Sequence, residues 1–240
     1  MGAVTQEAID VAGLGRRYGR RWALVDISFR VAPGRVVMIA GRNGSGKSTL
    51  LRVLSTAIRA DRGGARVLGL DLARDREGVR RQVALLGHHS QNYEALTALE
   101  NLRVAARFLG RETSRDALLA LLAEVDLAQR ADDAVATFSA GMRKRLSLAR
   151  VLMKDAQVVL LDEPYAALDP PGFRLVDRHL ARLRERGRTV LVATHLLEHG
   201  SVQSDEGLVL ESGRLTWAGP AGDLPALGGL PPAGDEGARA

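Results

Sequence analysis

Short apolar runs and stretches with helical spacing take turns along this chain. Ala23-Leu24-Val25-Asp26-Ile27-Ser28-Phe29-Arg30-Val31 alternates apolar and polar residues, the pattern of a half-buried antiparallel strand, and Ala32-Pro33-Gly34 turns it into the next run. That run, Arg35-Val36-Val37-Met38-Ile39-Ala40, is apolar and β-branched nearly throughout, as a parallel strand covered on both faces must be. From about Lys47, residues Leu50, Leu51, Leu54, Ala57 and Ile58 recur at helical spacing. Residues 61–64 read as a turn, 65–69 as a short strand and 83–86 as another strand, which ends at Gly87-His88-His89-Ser90-Gln91.

A helical stretch then interrupts the strand–helix alternation. Thr97-Ala98-Leu99-Glu100 is a capping box that opens a helix stopped at Gly110. Ser114 caps a second helix through about Glu124, and a third follows Ser139-Ala140-Gly141, with Met142, Leu146, Ala149 and Leu152 on one face. Residues 88–155 therefore read as an inserted helical subdomain. The alternation resumes with strand 158–161, helix 171–186, strand 189–193 and two short strands, 208–211 and 214–218. Residues 1–219 form one predicted unit, and the Gly-, Pro- and Ala-rich segment 220–240 is expected to be a disordered tail.

Composition narrows the classes. The absence of cysteine removes disulfides, thiolate metal sites and cysteine nucleophiles together. No apolar run approaches the roughly 20 residues that cross a bilayer, and the first residues lack the pattern of a signal peptide, so a cytoplasmic address is expected. The formal charge of +6 is carried almost entirely by arginine, lysine occurring only at Lys47, Lys144 and Lys154. No basic run is long or interleaved with aromatic residues, so the excess reads as a solvated face rather than a nucleic-acid surface.

Between the strand ending at Ala40 and the helix near Lys47 lies Gly41-Arg42-Asn43-Gly44-Ser45-Gly46-Lys47-Ser48, which fits G-x-x-x-x-G-K-[ST]. Glycines let the backbone approach a polyphosphate, and the loop and helix N-terminus aim N–H groups at it. Gly41, Arg42, Asn43, Gly44, Ser45, Gly46, Lys47, Ser48 and Thr49 are thus the candidate ATP-binding residues. Lys47 supplies charge toward the β- and γ-phosphates, and the Ser48 hydroxyl is placed to ligate Mg²⁺. Ligands of parallel sheets gather beyond the carboxyl ends of the strands. His88–Gln91, Asp162-Glu163 and His195 all fall at such ends. Asp162 fits the carboxylate that holds Mg²⁺, and Glu163 is placed to orient or deprotonate an attacking water. Tyr18, shortly before this sheet, could stack on an adenine ring or cap a sheet edge.

Together these residues resemble the ABC (ATP-binding cassette) ATPases. Phe138-Ser139-Ala140-Gly141-Met142 looks like the family's signature motif, and Leu161-Asp162-Glu163-Pro164, Ala167-Leu168-Asp169 and Thr194-His195 resemble its Walker B, D-loop and switch histidine, in the family's order. The resemblance implies an α/β P-loop NTPase with a RecA-like core of ABC type, an antiparallel β subdomain and the inserted helical subdomain. It implies Tyr18 as the adenine-stacking aromatic, Glu163 and His195 as catalytic residues, and Ser48 and Asp162 as Mg²⁺ holders. Ser139, Ala140 and Gly141 would close over ATP held by a second copy, and Asp169 would lie at that interface. Arg143, Lys144 and Arg145 read either as cations facing phosphate or as plain surface charge. Four positions depart from the family pattern: His89 stands where a glutamine is usual, Ala140 and Met142 replace the usual glycine and glutamine, and Ala166 replaces the D-loop serine.

The resemblance further implies ATP hydrolysis coupled to export through separate integral membrane permease subunits, by a homodimer or pseudo-dimer of ATPase chains peripheral to the inner face of the membrane and without nucleic acid. Leu85-Leu86-Gly87-His88 and Leu96-Thr97-Ala98-Leu99-Glu100-Asn101-Leu102 look most like the haem-exporter ATPase subunit of cytochrome c maturation, with drug, sodium and polysaccharide exporters close behind. A non-transport assembly-scaffold ATPase of the iron–sulfur type would share every motif.

Overall fold

The computed structural model describes residues 7–87 and 91–224, the side chains at 197–199 excepted. In chain order the elements are β1 (Ile9–Tyr18), β2 (Arg21–Val31), β3 (Val36–Ala40), α1 (Lys47–Leu54), β4 (Arg62–Val67), β5 (Leu70–Asp71), α2 (Arg76–Gln82) and β6 (Val83–Leu86). Then come α3 (Ala98–Leu109), α4 (Arg115–Glu124), α5 (Ala140–Lys154), β7 (Val158–Asp162), α6 (Pro170–Glu185), β8 (Thr189–Ala193), α7 (Leu197–Val202), β9 (Glu206–Glu211) and β10 (Arg214–Pro220).

The strands form two sheets. One is antiparallel, in the order β2-β1-β4-β5. The other runs β10-β9-β3-β8-β7-β6, parallel except for β10. Side chains of the second sheet alternate between two covered faces. Val37, Ile39, Val158, Leu160 and Leu191 join Leu50, Leu51 and Leu54 of α1 and the inner face of the antiparallel sheet (Ile9, Leu14, Leu24, Ile27) in one core. Each fully buried leucine of α1 contributes about 1.5–3 kcal/mol to holding that helix between the sheets. Leu86, Val159, Leu161 and Val192 face the other way, into a core shared with α3–α6. The helical block therefore packs on the sheet as one body of apolar contacts.

The predicted helix starts held closely. Thr97 and Glu100 form the capping box of α3, Ser114 caps α4 through the Ala117 N–H, and Ser139 caps α5 through the Met142 N–H. Elsewhere the structure corrects the sequence reading. β2 does not pair with β3; it pairs with β1, a strand the pattern did not announce, while β3 sits between β8 and β9. α1 stops at Leu54 because Thr56 takes a left-handed φ of 58°, so Ala57 and Ile58 lie beyond it. Residues 62–64, expected in a turn, belong to β4, where Gly63 (φ 64°) lies against the Gly13 carbonyl. α2 and α7 were not anticipated; α2 is capped by Asp75 but buries only Val79, too little for an apolar period. Residues 220–224 are not tail: β10 runs to Pro220, a short 3₁₀ turn follows, and Leu224 packs against the core around Met38, Ala40 and Val209. Residues 225–240, His88 and His89 lie outside the described residues.

Candidate nucleotide site

Strand register brings the candidate residues together. Ile39 of β3 pairs with Ala193 of β8, and Ala193 with Asp162 of β7, so the loops after these strands leave the sheet side by side. Gly41–Ser48 leaves the end of β3, Asp162-Glu163 ends β7, and Thr194-His195 follows β8.

The loop after β3 has a shape that needs its glycines. Gly41, Gly44 and Gly46 all have positive φ. A Cβ on Gly41 would lie 2.3 Å from the Leu210 carbonyl oxygen, and one on Gly46 would lie 2.6 Å from that of Ala23. Ser45 and Gly213 bond through their backbones, and Gly213 in turn accepts from Val25, so the loop is wedged between the two sheets. The Ser45 hydroxyl is buried without a hydrogen-bond partner among the described residues. A buried polar atom left alone, beside backbone the glycines keep bare, fits a loop shaped for the oxygens of a bound polyphosphate. Lys47 is buried and donates to the carbonyls of Gly41 (2.7 Å) and Arg42 (3.2 Å), closing the loop over its own ammonium. Burial lowers its pKa, opposed by the carboxylates of Glu163 and Asp162. Arg42, Asn43, Gly44 and Ser48 are exposed and Thr49 partly so.

The Ser48 hydroxyl donates to Asp162 Oδ1 at 2.9 Å. These hard oxygens suit Mg²⁺. Among the described residues no group of three or more His, Asp or Glu could hold a metal unaided, so phosphate oxygens and water would complete the coordination. Glu163 is nearly buried, takes a left-handed φ of 49°, and its N–H donates to the Ala193 carbonyl at 2.8 Å. Its Oε2 lies 2.9 Å from His195 Nδ1. A carboxylate only accepts, so Nδ1 is the protonated nitrogen. The His195 side chain is 56% exposed and that of Glu163 12%, which turns the ring toward solvent and the carboxylate inward.

Other predicted residues lie elsewhere. Tyr18 ends β1, is 45% exposed, and has the Arg16 guanidinium 5.0 Å over its ring. Ser139 and Ala140 are exposed at the start of α5. Gly141 packs so closely on the Ala167 carbonyl that a Cβ there would lie 2.7 Å from it. Asp169 is the N-cap of α6, accepting from the Gly172 N–H at 2.9 Å, with prolines in the first helical positions. Gln91 is exposed, and its carbonyl accepts from Arg150 at 2.7 Å.

Sequence reasoning missed the orientation of Lys144. It is neither surface charge nor aimed outward: it is 7% exposed, and its ammonium donates to the Asp162 carbonyl at 3.2 Å. The signal was present, because Lys144 shares an i, i+4, i+7 stripe with Leu148 and Val151, both buried.

Comparison with known proteins matches this arrangement. A model described as ABC transporter matches residues 24–166. A daunorubicin resistance ATP-binding protein of Streptomyces coeruleorubidus is 40% identical over 221 residues, 91% of this chain and 70% of that protein. A Nod factor export ATP-binding protein I of Mesorhizobium japonicum is 34% identical over 209 residues, 86% of this chain and 62% of that protein. A solved ATP binding subunit of an ABC transporter is 29% identical with a TM-score of 0.80, covering 89% of this chain and 90% of its own. A dimeric ATP-binding cassette in a post-hydrolysis state with ADP and Pi shares the fold at 22% identity and a TM-score of 0.80, covering 89% of this chain and 98% of its own.

Proposed function

This chain belongs to the ABC transporter family as one of its ATP-binding, ATP-hydrolysing cassettes, and from that premise we propose that it powers export through separate membrane subunits, in the manner of the drug-resistance exporters. The observation that carries the chemistry is the convergence of Ser48, Asp162, Glu163 and His195 at adjoining strand ends, with two contacts of 2.9 Å. The assignment to drug-type export rests on the similarity to the daunorubicin resistance protein. The relatives compared are drug-resistance and Nod factor export proteins, so the expected haem export draws no support from them.

In this reading the loop 41–48 holds the ATP phosphates, and Lys47 leaves its loop carbonyls for the β- and γ-phosphate oxygens. Mg²⁺, held by Ser48 and Asp162, would neutralise charge on the phosphates. The Glu163 carboxylate orients the attacking water and accepts its proton, while His195 fixes the carboxylate through its Nδ1–H and stands beside the γ-phosphate position. Tyr18 offers an exposed ring face to the adenine. Ser139, Ala140 and Gly141 form an exposed helix N-terminus, whose free N–H groups and dipole favour an anion, here the ATP of a second copy. No helix of the described residues is long and apolar enough to cross a membrane.

Purification from membranes tests the reading. The expected result is ATPase activity co-purifying with a multi-span membrane protein. Recovery only in a soluble assembly complex would replace the exporter reading with a scaffold one.

A further inference from the structure

A single peptide group, the one joining Asp162 to Glu163, is held from both sides. Its N–H donates to the Ala193 carbonyl at 2.8 Å, and its C=O accepts from the Lys144 ammonium at 3.2 Å. The residue that follows needs holding, because Glu163 has a φ of 49°, a left-handed conformation that a glutamate adopts only at a cost in strain. Lys144 reaches this peptide from α5; burial lowers its pKa, opposed by the carboxylates of Asp162 and Glu163.

Ordinary packing does not require an ammonium here. Lys144 lies on the apolar stripe of α5 with Leu148 and Val151, where an uncharged side chain would be less costly to bury. Lys47 already lies in the field of the same two carboxylates, donating to the carbonyls of Gly41 and Arg42. The proposed chemistry moves Lys47 to the phosphates, which leaves Lys144 as the cation that stays on the Asp162–Glu163 peptide.

We infer that Lys144 is a positioning residue for hydrolysis: by holding the Asp162 carbonyl it fixes the strained peptide that aims the Glu163 carboxylate. The inference rests on Glu163 being the residue that handles the attacking water. A carboxylate aimed this way loses its effect when displaced by a fraction of its own size, so the contribution of Lys144 falls on the chemical step and not on ATP binding.

The test compares Lys144→Met, Lys144→Arg and Glu163→Gln in the full-length chain, measuring kcat, the KM for ATP and the thermal midpoint. Lys144→Met keeps the stem and removes the charge; its kcat is expected to fall about 10- to 100-fold, as for other groups that orient a metal-site ligand, with KM changed by less than about twofold. Lys144→Arg restores most of the rate by donating to the same carbonyl. Wild-type kcat in Lys144→Met, beside an inactive Glu163→Gln, overturns the inference and leaves the hydrolytic assignment standing. Equal losses in Lys144→Met and Lys144→Arg with a lowered thermal midpoint also overturn it, in favour of a packing role. Wild-type turnover in Glu163→Gln removes the assignment of Glu163 itself, and the inference with it.

Discussion

The Ser48 hydroxyl donates to Asp162 Oδ1 at 2.9 Å across 114 residues of sequence, tying the first turn of α1 to the end of β7. The bond exists because β3 and β7 both flank β8, so the loop after one strand lies beside the tip of the other. It also aligns two hard oxygens where the proposed Mg²⁺ would sit.

Asp162→Asn therefore keeps a side chain of the same shape and an acceptor for Ser48, while removing the charge. Turnover is expected to fall by about two orders of magnitude or more, and excess Mg²⁺ will recover only part of it. A titration of hydrolysis rate against Mg²⁺ checks this; an unchanged Mg²⁺ dependence would show that Asp162 does not serve the metal.

Glu163→Gln leaves the loop 41–48 and Ser48 untouched but removes the proton acceptor. ATP binding should persist while hydrolysis drops by about 10²–10⁴-fold. With ATP present the variant is expected to accumulate as a dimer, read by light scattering. A variant that stays monomeric at saturating ATP would refute the two-copy closure.

Gly41→Ala places a methyl where the Leu210 carbonyl and the Ser45 hydroxyl already are, at a φ of 146°. The loop must shift, so nucleotide affinity is expected to fall at least tenfold. Gly44→Ala meets no atom within 4 Å; it tests φ alone (80°) and should cost less. Isothermal titration with ATP separates the two.

His179 lies far from this chemistry but sets an acid limit. It is 4% exposed and bonds the Glu124 carbonyl at 3.0 Å, and burial lowers its pKa below 6.5. Because the unfolded chain binds the proton more readily, the neutral ring's contribution is fully present above the unfolded value and is lost as pH falls through the folded one. Denaturant melts from about pH 7.5 to about pH 5.5 should show stability declining, and His179→Gln should flatten part of that decline. Equal slopes in both proteins would discount the histidine.

Much of the site was legible because its motifs are local. The loop 41–48, the strand before it and the capped starts of α3, α4 and α5 depend on neighbours a few residues away. Pairing was less legible. β1 is nearly as apolar as β2, yet its irregular register, with shifts near Leu14 and Arg16, hides the alternation that would announce a strand. α2 buries only one residue, so no period marks it. Asp169, read as an interface carboxylate, also caps α6, a local purpose that Asp-Pro-Pro serves well.

By itself, the sequence determined the phosphate loop, the buried strands and capped helices around it, and which carboxylates and histidine end buried strands. These follow from spacing and from glycine's freedom to take φ values others cannot. Only the tertiary structure decided that Ser48 meets Asp162, that Glu163 meets His195, and that Lys144 turns inward to hold the peptide between the two acids. Each of those contacts joins elements far apart in the chain, and their distances are fixed by sheet register and by the packing of α5 against β6 and the neighbouring helices.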